Sequence, residues 1–105
     1  MADNILSAAE AATVLRTEAT DQNMLDLLPQ VDAYIANATG RKWESDDPIR
    51  PEAKSAARML LVMWHENPAM IGSTNVLNFG LTAVLMQLEA IVLELEEAEE
   101  AEAEA

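Results

Sequence analysis

Apolar residues in this chain recur at spacings of three and four in every long segment, and nowhere do they alternate with polar residues over strand length. That periodicity places apolar side chains on one face of an α-helix, whereas a half-buried strand needs a period of two. Only three glycines occur in 105 residues, too few to punctuate hairpins. Half the residues are hydrophobic but only 4% are aromatic, so Ala, Leu and Met, all good helix formers, must fill the core. The expected fold is all-α: a small bundle of about four helices, with a short N-terminal helix and an acidic C-terminal extension. The length suits one core.

Local signals divide the chain. Ser7 and Glu10 have the spacing of a capping box, in which each side chain satisfies a free backbone N–H of the other, so a first helix should run to about Arg16. Thr20 or Asp21 can cap a second helix, whose stripe is Met24, Leu28, Val31, Ile35 and Ala38. Pro29 lies inside that stripe and predicts a kink over 25–28 or a later start. Gly40 falls where a left-handed C-terminal cap belongs.

The polar connector 41–50 (RKWESDDPIR) follows, and Pro51 with Glu52 suits the first turn of a third helix. Its core stripe is Ala53, Ala56, Ala57, Leu60, Leu61 and Trp64. Met59, Val62 and Met63 make 59–64 apolar all round, which demands either a central position or burial against another subunit. Asn67 and Pro68 stop the helix, and 69–78 reads as a loop able to touch a partner. A last helix from about Gly80 carries Leu81, Val84, Leu85, Leu88, Ile91, Val92 and Leu95. The closing AEEAEAEA has nothing to bury and is expected to fray or be disordered past Leu95, so the chain divides into a helical domain 1–93 and an acidic tail 94–105.

Charge sharpens this division. Nineteen acids against six bases give −13, and seven of the acids (Glu94, Glu96, Glu97, Glu99, Glu100, Glu102, Glu104) lie in the last twelve residues, leaving −6 for the first 93. Such a balance argues against a nucleic-acid gripper, which needs clustered Lys and Arg. No cysteine is present, so disulfides, thiolate nucleophiles and cysteine–zinc sites are excluded. The N-terminal stretch lacks the basic and continuous apolar regions of a secretion signal, and no run reaches the length of a membrane span.

An enzyme reading fails on inventory. The single histidine, His65, followed by Glu66 at a helix end, reads as an ordinary surface residue, and Asp46 and Asp47 before Pro48 read as turn and capping groups. No residue is assigned a catalytic, cofactor-binding or metal-binding role.

The candidates are interface residues. Arg41, Lys42, Arg50, Lys54 and Arg58 fall within eighteen positions and make either a small basic patch or a set of pairs with Glu44, Asp46, Asp47 and Glu52. Trp43 in its polar connector is an aromatic anchor for a partner or a cover for a helix end, and Trp64 reads more readily as core. Met59 and Met63 supply an adaptable apolar surface, as do Met70 and Met86. Glu94, Glu96, Glu97, Glu99 and Glu100 are candidate tail contacts.

The stretch 28–41 (LPQVDAYIANATGR), then Trp43, an acidic connector with prolines, and 53–68 (AKSAARMLLVMWHENP) resemble the head–tail connector (adaptor, head-completion) proteins of long-tailed bacteriophages. The similarity covers roughly residues 5 to 90 and lies in the order of parts: a helix ending in Thr-Gly-Arg, a Pro-initiated Ala/Leu helix with an aromatic-x-Glu-Asn end, and a closing Leu-rich helix. It implies a structural virion protein, made in the host cytoplasm and located at the neck. Such a protein forms a homo-oligomeric ring below the portal after packaging, prolongs the DNA channel and receives a downstream neck or tail-completion protein. DNA would pass without sequence-specific binding, eased by acidic walls, with no membrane and no cofactor involved. The long Ala/Glu extension departs from that compact pattern. The competing reading from the residues is a small acidic binding or regulatory module, such as a phosphate mimic that occupies a basic partner.

Overall fold

The computed structural model describes residues 4–46, 48–71 and 79–104. Among them are four α-helices and no strand, a small all-α bundle: α1 (Ala8–Leu15), α2 (Gln22–Thr39), α3 (Pro51–Glu66) and α4 (Phe79–Glu104), with short 3-10 turns at Trp43–Ser45 and Pro68–Met70. Asp47 and most of the expected loop 69–78 lie outside the described residues.

Local chemistry sets the helix ends. Ser7 accepts from the Glu10 N–H while the Glu10 carboxylate accepts from the Ser7 N–H, each at 3.1 Å, completing the capping box. Arg16 ends α1 in the left-handed region at φ 56°, which costs a side chain some strain and shortens the helix by one residue from the expected boundary. Asp21, not Thr20, caps α2 by accepting from Met24 N–H. Gly40 closes α2 at φ 84°, a conformation that glycine adopts without penalty, and its N–H returns to the Ala36 carbonyl at 2.7 Å. Pro51 opens α3.

The helix does not start later at Pro29, as one of the two readings allowed. α2 starts at Gln22, ahead of the proline, and continues through Pro29, which sits exposed on the solvent face where its lost hydrogen bond costs least. The tail past Leu95, expected to fray or be disordered, continues α4 as helix to Glu104. Ala and Glu have high helix propensity and no Gly or Pro follows Gly80. Glu–Glu repulsion at i,i+4 costs only a few tenths of a kcal/mol per pair and does not stop the helix.

The core lies between α2 and α3, with α1 closing one end and α4 laid across both. Met24, Leu27, Leu28, Val31 and Ile35 of α2 meet Ala53, Ala56, Ala57, Leu60, Leu61 and Trp64 of α3. The small alanines let the helices approach, and Tyr34 stands edge-on to Trp64 with ring centres 5.5 Å apart. Ile5 and Leu6, ahead of α1, are also buried, each contributing about 1.5 to 3 kcal/mol. The molecule measures 49 × 33 × 17 Å, about two helices thick, and its long dimension reflects an α4 of about 39 Å.

Candidate protein-interaction surfaces

The turn after α2 binds its own aromatic and basic residues. Trp43 is fully buried, and its indole N–H donates to Thr39 Oγ1 at 2.9 Å while the Thr39 hydroxyl donates to the Ile35 carbonyl at 2.7 Å. This relay lets an indole enter the core with its polar atom satisfied. The Arg41 guanidinium lies 5.5 Å from the Trp43 ring centre and pairs with Asp46. Of the two readings of Trp43, its burial supports the cover for the helix end over the partner anchor, and Arg41 is engaged internally, beside it.

The basic cluster does not form one patch. Lys54 Nζ pairs with Glu10 Oε2 at 2.7 Å and ties α3 to α1, a partner other than the neighbouring acids expected from sequence. That contact, with the Ser7 N–H after it, holds the Glu10 carboxyl below its usual pKa. Arg50 is the half-buried cap residue of α3 and Lys42 is exposed. Arg58 lies exposed beside an apolar surface.

That surface is the outer stripe of α3. Arg58, Met59, Val62, Met63 and Glu66 line an open groove of about 520 Å³, with Met59, Val62 and Met63 half-buried and the two charged ends exposed. Three of the interface residues picked from sequence, Arg58, Met59 and Met63, thus come together. Trp64, on the opposite side of the helix, is fully buried. His65 sits exposed in the last turn of α3.

A second surface runs along α4. Leu81 and Leu88 are buried and Val84, Leu85, Ile91 and Val92 pack against the core, but Met86 and Leu93 on the outer face are 64% and 60% exposed. They stand seven residues apart, with exposed Ala83 and Ala90 completing spacings of three, four and three, so one stripe faces outward. Exposed Glu89, Glu94, Glu96 and Glu97 flank it, and Glu99 and Glu100 continue the acidic surface along the arm. The apolar periodicity of α4 predicts its packed face, and Met86 is legible as surface. Leu93 likewise falls outside the stripe read from the sequence, and its residue type alone does not mark it as surface.

Sequence reasoning also missed Asp32. It is buried in α2, and its Oδ1 accepts the Ile5 N–H at 3.2 Å, which fastens the N-terminal segment to the bundle across 27 residues. Burial raises its carboxyl to a pKa of about 7, against the lowering effect of the Ile5 N–H and with a smaller push from the Glu44 charge. An Asp at the edge of an apolar stripe was the only available signal.

No helix among the described residues is long and apolar enough to cross a membrane. No family model, curated protein or solved structure matches the chain.

Proposed function

We propose that this chain is a structural subunit of a phage neck: one copy of a ring that seats below the portal, prolongs the DNA channel and presents a docking surface to the next neck or tail component. The observation that carries the reading is the outer face of α4, where Met86 and Leu93 stand mostly in solvent within a border of glutamates. Large apolar side chains clustered on an exposed helix face gain free energy when a partner covers them. The acids around them select a partner with basic character and repel the same face of another copy. Contacts in a ring join unlike faces of neighbouring subunits, which fits a surface that cannot pair with itself. The overall charge of −13 suits a wall past which DNA must slide, because like charge keeps the duplex from adhering.

The acidic-module reading keeps one observation of its own: the glutamates of the arm are ordered on a helix, a regular spacing of negative charge that a basic nucleic-acid site can accept. Co-sedimentation with a phage portal ring separates the two. The neck reading expects several copies per portal ring, retained at high salt because apolar contacts contribute. A single copy bound to a basic partner, lost steeply as salt rises, with no binding to the portal, overturns it. Gene order separates the two independently, with terminase, portal and capsid genes expected upstream and tail genes downstream.

A further inference from the structure

The outer stripe of α3 differs from that of α4 in its charges. Arg58 stands at one end and Glu66 at the other, each four residues from Val62, and Met59 and Met63 lie between them. Neither charged group has an ion pair among the described residues. At 1.5 Å per residue each charge is about 6 Å along the helix from Val62.

A stripe with opposite charges equidistant from its centre is complementary to itself when turned end for end. We infer that two copies of this chain pair through α3, antiparallel, about a two-fold axis at Val62. In that arrangement Arg58 of each copy lies level with Glu66 of the other, the two Val62 side chains meet on the axis, and Met59 of each copy packs beside Met63 of the other. Both ion pairs form by symmetry, and the methionines, adaptable in shape, fill the space between the helices. The α4 stripe cannot do the same, because end-for-end pairing would set its glutamates against one another.

The pairing goes beyond the neck reading. A ring of more than two subunits closes through contacts between unlike faces, so a two-fold α3 contact belongs to the chain before assembly. It covers the half-buried methionine face while the protein is free.

Sedimentation equilibrium with charge reversals tests this. The wild-type chain should approach twice its 11.4 kDa mass as concentration rises. Arg58→Glu and Glu66→Arg, both at exposed positions, should each keep a wild-type melting curve and weaken pairing at least tenfold, since each sets two like-charged pairs across the axis. An equimolar mixture of the two variants should pair again, because one then presents acids at both ends of its stripe and the other presents bases at both ends. The double variant R58E/E66R should pair with itself. Wild-type mass at one copy throughout overturns the inference. So do single variants that pair normally, or a mixture that fails to recover. A chain that pairs in this way but never binds a portal would leave the α3 contact standing and remove the neck reading alone.

Discussion

The turn that follows α2 and the outer face of α4 reverse what their compositions suggest. Trp43 sits in a ten-residue connector with six charged side chains, yet it is fully buried. Met86 and Leu93 sit in a helix whose first half is rich in large apolar side chains, yet they are 64% and 60% exposed. Solvent exposure here follows from which surfaces the fold brings together. At the turn, Gly40 reverses the chain so that the indole reaches Thr39 and closes the end of the bundle. Along α4 the helix is apolar on more than one side, and α2 and α3 together cover only the inner side. One region accordingly holds the fold together, and the other is left facing solvent.

The largest effect expected from this contrast is at Trp43. Trp43→Ala should cost about 3 to 5 kcal/mol, seen as a lower denaturant midpoint, because it removes one of the two largest buried side chains and leaves Thr39 without its donor. A loss below about 1 kcal/mol would mean that the indole is not core. Within α4 the pair Leu88 and Leu93 tests the same division with identical chemistry. Leu88→Ala should cost about 2 to 5 kcal/mol, while Leu93→Ala should stay within about 0.5 kcal/mol. Equal costs would show that the outer face is covered in the free chain.

A smaller and pH-dependent effect is expected at Asp32. Its carboxyl titrates near pH 7 when folded and near 3.8 when unfolded, so the folded chain binds the proton more tightly. The stability this gives is complete below about pH 3.8 and is lost as pH rises to 7, by at most about 4 kcal/mol. Glu10 and Asp21, whose folded values are lowered, act in the opposite sense and lose their contribution as pH falls through the carboxylate range. Urea titrations should therefore find maximum stability in mildly acid solution. Asp32→Asn should remove the decline between pH 4 and 7 and stabilise the chain by about 1 to 3 kcal/mol at pH 8. A decline that persists in the variant would assign it to another group.

The features that sequence made legible are those set within a few residues. The capping box at Ser7 and Glu10, the Gly40 cap, Pro51 at the start of α3 and the 3.6-residue stripes all follow from local geometry. The α3 face could be picked out for the same reason, since a helix apolar all round must leave part of its surface beside something other than its own core. Features that depend on distant segments were not legible. Asp32 holds Ile5 from 27 positions away, and Lys54 crosses to Glu10 from 44 positions away in place of the acids beside it. The helical arm was underestimated for another reason: lack of anything to bury argues against a packed segment, but Ala and Glu hold a helix without packing when it continues one already anchored by Leu81 and Leu88.

The proposal that the α4 face associates while the Trp43 turn only stabilises is tested most directly by Met86→Ser combined with Leu93→Ser, comparing thermal melting with co-sedimentation on a portal ring. The double variant should keep the wild-type melting temperature and bind the portal at least tenfold more weakly. Unchanged binding, or a loss of binding matched by a collapse in melting temperature, would contradict the proposal.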